Sequence, residues 1–202
     1  METVTVNPIE IPTEKFSRLQ LEDWILFGIL VANKEAAQTR RKLDSLLEVL
    51  RTLYPQATSP FDAIRQSLMA GTLRSSLVAV RTGQYNRIAH AFYDVINLDL
   101  DNLSVEALES VHGIGPKTAR MTMLYAFPGL EVVPLDTHVL KFLRERGYEN
   151  VPKATPPAGP QYKHWEAVFV EESVRAGLTV RELDTKVWRK YATSLNKAVP
   201  RG

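Results

Sequence analysis

Residues 111–138 read VHGIGPKTARMTMLYAFPGLEVVPLDTH, and the reading of this stretch decides the fold. Gly113 and Gly115 stand at alternate positions ahead of Pro116, which suits the first position of a helix because a first-turn N–H has no partner within the helix anyway. Glycines so placed permit positive backbone dihedrals and keep side chains from between the main chain and a ligand. The N–H groups of the helix start, with the helix dipole behind them, suit a phosphate. Lys117 then opens an otherwise apolar helix, and Asp136 follows 19 positions later. Asp136 precedes the apolar-periodic run THVLKFL and so reads as an N-cap, a role that holds a carboxylate rigid. On these residues alone the alternatives stay open. The turn suits a plain helix-turn-helix, Lys117 a phosphate contact, and Asp136 a cap and nothing more.

Outward from this stretch the pattern is helical. Residues 17–32 are apolar at Leu21, Trp24, Ile25, Phe27 and Leu30, and residues 35–54 repeat Leu43, Leu46, Leu47 and Leu50 at helical steps. SPFDAIRQSLMAG (59–71) offers Ser59 as N-cap, Pro60 at the first helical position and Gly71 as the stop. GQYNRIAHAFYDVIN (83–97) places Ile88, Phe92 and Val95 on one side. A short helix and a turn are expected in residues 104–115 and further helices in 116–127, 136–147, 162–177 and 180–193, while NVPKATPPAGPQ (150–161), with four prolines, reads as a long extended loop. No alternating strand pattern appears beyond the first dozen residues, and no repeat period is found. The fold class is therefore all-α, with roughly eight to ten short helices.

A chain of 202 residues with 45% hydrophobic side chains is long enough to bury a substantial core. Its 25 basic and 23 acidic residues leave a formal charge of +2, so contact with a polyanion has to come from a local patch. Two clusters could supply one: Lys34, Arg40, Arg41 and Lys42, and Arg181, Lys186, Arg189 and Lys190. The absence of cysteine excludes a disulfide framework, a thiol nucleophile, cysteine-bound zinc and an iron–sulfur cluster. His90, His112, His138 and His164 do not pair at the spacing of a helical zinc site, so no metal is expected on side chains. The longest apolar window, WILFGILVA (24–32), is far shorter than a membrane span. The acids and prolines of METVTVNPIEIPTEKF do not read as a signal peptide, and an intracellular location is expected.

The segments HGIGPKTA and VVPLDTHV, within residues 105–140, resemble the helix–hairpin–helix and following aspartate of the endonuclease III superfamily of DNA glycosylases, the HhH-GPD group. FGILVANKEA (27–36) and TGQYNRIAHAF (82–92) extend the likeness over most of the chain. The resemblance implies a two-lobed helical fold. Its hairpin would span about 104–127, one lobe 31–136, and the second lobe 1–30 together with 137–202. It further implies that Gly113, Gly115 and Lys117 contact duplex DNA carrying a damaged or modified base, and that Asn33 probes the gap left by the flipped base. Such enzymes extrude the base into a pocket. By the same resemblance Asp136 stabilises positive charge at C1′ of the sugar, and a lysine at position 117 attacks C1′, forms a Schiff base and cuts the strand by β-elimination.

Two departures matter. Endonuclease III carries a cysteine cluster after the aspartate; here a proline-rich loop and two more helices take its place. LTVRELDTKVWRKY (178–191) is similar to the close of archaeal 8-oxoguanine glycosylases that lack the cluster, whose LD-x-x-x-W segment lines the base pocket. The matching residues are Asp184 and Trp188, one helical turn apart. An aromatic residue expected one turn after the lysine is Met121, which weakens the 8-oxoguanine assignment and leaves room for a modified pyrimidine. The expectation is a monomeric bifunctional glycosylase/lyase, 8-oxoguanine favoured. It needs no cofactor, although a monovalent cation on the hairpin carbonyls is compatible with it. The rivals are a glycosylase for modified pyrimidines and a non-catalytic hairpin module that binds DNA.

Overall fold

A computed structural model of the chain describes residues 5–8, 10–32 and 34–197, the last six of them by backbone alone. The described residues are helical and contain no strand: α1 (Arg18–Val31), α2 (Ala36–Leu53), α3 (Pro60–Met69), α4 (Leu73–Ala79), α5 (Tyr85–Val95), α6 (Val105–Glu109), α7 (Pro116–Ala126), α8 (Thr137–Glu145), α9 (Pro160–Arg175) and α10 (Val180–Lys197). The chain divides into two compact units, residues 1–114 and 115–202, and the division falls in the turn between α6 and α7.

In the first unit α1 is the central helix. Ser17 and Gln20 close a capping box at its start, and every residue from Leu21 to Leu30 is buried as α2, α3 and α5 pack round it. Two of those buried residues are acids, and each is satisfied. Glu22 Oε2 accepts the Phe61 N–H at 3.0 Å, while Asp23 accepts both terminal nitrogens of Arg40, at 2.7 and 3.0 Å, and the Val6 N–H at 3.0 Å. Arg40 is therefore not a surface cation waiting for a phosphate: it is 7% exposed and neutralises a core carboxylate. Around α1, the Leu43, Leu46, Leu47 and Leu50 stripe of α2 and Ile88, Phe92 and Val95 of α5 are buried as their periodicity requires. Ser59 caps α3, Pro60 opens it and Gly71 follows it at positive φ. Helix α4, which has no sequence signal, is seven residues long and held by buried Leu73 and Leu77.

The loop entering α5 adopts positive φ at Arg81 (54°), Gly83 (71°) and Gln84 (48°). Such a turn points carbonyl groups away from any ladder, and two lysines take them: Lys34 Nζ donates to the Thr82 carbonyl at 2.8 Å and Lys42 Nζ to the Arg81 carbonyl at 2.7 Å. Of the first basic cluster, only Arg41 is exposed; Lys34 and Lys42 are half-buried and Arg40 is buried.

In the second unit α8 and α9 pack on α10, with Leu140, Leu143, Tyr162, Phe169 and Val187 in the core. Residues 150–159 are irregular, as the prolines require, and α9 starts at Pro160.

Candidate functional site

The hairpin turn is anchored by buried Val111 and Ile114, and the Ile114 N–H closes on the Val111 carbonyl at 3.0 Å. Gly113 has φ +81°, a conformation open chiefly to glycine. Arg87 packs beside it, donating from Nη2 to the Ile29 carbonyl at 3.1 Å and from Nη1 to the Gly113 carbonyl at 3.4 Å. The His112 N–H is held by Asp94 at 3.0 Å. Gly115 does not use the positive-φ freedom that the motif permits. It is extended at φ −91°, and a Cβ built there meets nothing within 4 Å. As the N-cap of α7 it has no side chain to offer, so the helix begins without a side-chain cap. That leaves the first-turn N–H groups for a ligand.

Four-residue steps along α7 place Lys117, Met121 and Tyr125 in one stripe. Lys117 is half-buried, and its amine makes no hydrogen bond or ion pair among the described residues. Asp136 is half-buried and caps α8: Oδ1 accepts the N–H groups of His138 at 2.8 Å and Val139 at 2.9 Å. Its other oxygen, Oδ2, has no partner among the described residues.

Asp184 brings these groups together. It is 6% exposed, and Tyr125 donates its hydroxyl to Oδ2 at 2.5 Å. Burial pushes this carboxyl up to about 7; the Tyr125 hydrogen bond opposes the rise, the Asp136 charge adds to it, and the Lys117 charge offsets it. The lysine, the capping aspartate and the buried aspartate thus share one electrostatic environment. The Tyr125 hydroxyl is itself driven well above its ordinary range, first by burial and then by Asp184, and Arg181 lies over its ring at 5.3 Å. Trp188 and Met121 are both half-buried. Tyr125 was not singled out from the sequence. Its four-residue step beyond Met121 was the available signal, but its partner is 59 residues away.

The approach to Asp136 is held from α9. Tyr162, fully buried, donates its hydroxyl to the Val133 carbonyl at 2.8 Å and accepts the Leu135 N–H at 3.0 Å. Glu166 Oε1 accepts the Val133 N–H at 2.8 Å, and Thr155 donates to the Leu135 carbonyl at 2.7 Å.

Other expected positions fall elsewhere. Asn33 lies outside the described residues. His112 stacks on His90 at 4.6 Å and His138 on Tyr191 at 5.8 Å, so both flanking histidines serve as ring partners. Among the described residues, no group of three or more histidine or acidic side chains could hold a metal, and no helix is long and apolar enough to cross a membrane.

No protein-family model and no curated protein matches the sequence. Solved structures do. The 8-oxoguanine glycosylase/lyase of Methanocaldococcus jannaschii, in complex with a 15-mer DNA containing 8-oxoguanine, is similar over 83% of this chain and 80% of that one, with TM-score 0.60 and 20% identity. A second structure, of 8-oxoguanine DNA glycosylase from the same organism, is similar over 84% and 78%, with TM-score 0.58 and 19% identity. The chain has the all-helical fold of these glycosylases.

Proposed function

We propose that this chain is a DNA glycosylase with lyase activity, acting on a damaged purine of the 8-oxoguanine class. The observation that carries the reading is that the Lys117 amine and one oxygen of Asp136, neither with a partner among the described residues, both act electrostatically on buried Asp184, which stands four residues before Trp188 on α10, in a fold shared with 8-oxoguanine glycosylases.

The chemistry follows from those groups. A base within a duplex has to be extruded before its glycosidic bond can be reached, and the uncapped start of α7 suits the phosphates of the strand so distorted. As the base departs with the bonding electrons, positive charge grows on the sugar, and the free oxygen of Asp136 stabilises it. Placement on a helix cap means that no reorganisation is needed when the charge appears. Lys117 gives up a proton, which the departing base takes up, and its amine forms a bond to C1′ as the glycosidic bond breaks. Ring opening then gives a Schiff base, and loss of a C2′ proton breaks the C3′–O bond. The indole of Trp188 offers a face for stacking, and Asp184 can accept an N–H of the extruded base. Met121, a flexible thioether where a second ring would complete a sandwich, favours a second substrate class, modified pyrimidines.

Borohydride trapping on duplexes carrying 8-oxoguanine, a modified pyrimidine or an abasic site tests this. The wild-type chain is expected to form a covalent adduct that Lys117→Gln abolishes, and Asp136→Asn is expected to slow base release by about 10² to 10³-fold with little change in binding. Full strand cleavage by Lys117→Gln would refute the assignment. An adduct on the modified pyrimidine alone would move the substrate to that class.

A further inference from the structure

We propose that Tyr162 and Glu166 of α9 are positioning residues that fix Asp136 in register with Lys117; the inference rests on the catalytic reading above. Residues 131–135 belong to no helix, yet Val133, Pro134 and Leu135 are buried. A buried backbone without secondary structure has to find partners for its polar groups elsewhere. Here side chains of α9 supply them. Tyr162 joins the Val133 carbonyl to the Leu135 N–H through one hydroxyl, and Leu135 directly precedes Asp136.

Glu166 carries the connection to the lysine. The same oxygen that accepts the Val133 N–H accepts Arg120 Nε at 2.8 Å. Arg120 in turn donates from Nη1 to the Pro116 carbonyl at 3.3 Å, and Pro116 directly precedes Lys117. The Arg120 guanidinium lies 4.2 Å over the Tyr162 ring, which keeps its plane fixed while the forked donors reach both ways. A continuous path therefore runs from the residue before the nucleophile to the residue before the carboxylate: Pro116, Arg120, Glu166, Val133, Tyr162, Leu135. Each side chain in it is largely buried, Arg120 at 8% and Tyr162 at 0% exposure, with the Glu166 side chain at 15%. Neither α7 nor α8 alone fixes the separation of the two reacting groups; this path does.

Misplacement by about 1 Å at a reacting centre can cost about 10²-fold in rate. Tyr162→Phe removes both hydroxyl bonds and leaves the ring under Arg120. In single-turnover trapping on an abasic duplex it is expected to form the Lys117 adduct about 10- to 100-fold more slowly, with duplex affinity within about twofold of wild type. Glu166→Ala is expected to behave alike, and Glu166→Gln, which keeps an accepting oxygen, to recover most of the rate. Should Tyr162→Phe melt below the assay temperature, the Glu166 pair carries the test. A variant that melts early but traps at the wild-type rate would mean that the network only stabilises the fold, and would overturn the proposal. So would equal rates for Glu166→Ala and Glu166→Gln. Wild-type chain and Lys117→Gln are run first: no Lys117-dependent adduct on the abasic duplex refutes the catalytic reading itself, and this inference with it.

Discussion

Asp184→Asn should make this chain more stable at neutral pH, and the gain should vanish in acid. The buried carboxyl releases its proton at about 7 in the folded chain against an ordinary value of 3.8. Between those two values the folded chain holds a proton that the unfolded chain has lost, so stability falls as pH rises from about 4 to about 7 and is level above. A gap of about three pH units corresponds to about 4 kcal/mol at its ceiling. An asparagine is neutral throughout and keeps a carbonyl oxygen for the Tyr125 hydroxyl, so it escapes that penalty. Its two amide donors, buried where a carboxylate only accepts, cost about 1–2 kcal/mol to the extent that they go unpaired. The balance is a gain of about 2 kcal/mol near pH 8, or about 4–8 °C in melting temperature for a chain of this size. Near pH 4.5 the wild-type carboxyl is protonated and the variant should be level or slightly worse, so the two curves cross. Urea and thermal denaturation of both proteins from about pH 4.5 to 8.5 measure this. A difference that stays constant with pH would refute the argument. If Asp184 meets the extruded base, the stabilised variant should also be the inactive one.

Arg40→Met strands the Asp23 carboxylate among the apolar side chains round α1 and should cost about 3–5 kcal/mol by urea denaturation, against less than about 0.5 for the exposed neighbour in Arg41→Ala; equal costs would mean that the pair is not what holds α1 and α2 together. The two hairpin glycines should respond differently. Gly113→Ala meets a positive φ and the Arg87 guanidinium and should lose about 1 kcal/mol or more together with duplex affinity, while Gly115→Ala, extended and in open space, should stay within about 0.5 kcal/mol. Parallel denaturation and gel-shift titration of the two variants check both.

What could be read from the sequence was local. Ser59, Pro60 and Gly71 mark both ends of α3 because caps and stops depend on neighbours a few residues away, and Asp136 announces α8 for the same reason. What could not be read depends on partners far along the chain. Arg40 sits in the run TRRK and looks solvated, yet its partner Asp23 lies 17 residues earlier on α1, and nothing local to either residue pairs them. Lys34 and Lys42 look like phosphate contacts until the positive-φ loop near residue 82 presents its carbonyls to them. Gly113 and Gly115 look equivalent in the motif, and only the backbone separates a dihedral requirement from an open cap. The lysine and aspartate of the candidate site were visible as a pair, but the tyrosine that orients the buried aspartate was hidden in the apolar run of α7.

The cap on α8 changes what an amide at position 136 would be. Two backbone N–H groups hold Oδ1, and only an oxygen can face them, so an asparagine has one permitted orientation. Its nitrogen then occupies the place of the free oxygen. On the proposed catalytic role of Asp136, a donor with two hydrogens would then face a sugar that is becoming a cation, so the substitution would reverse the polarity of that single position rather than merely neutralise it.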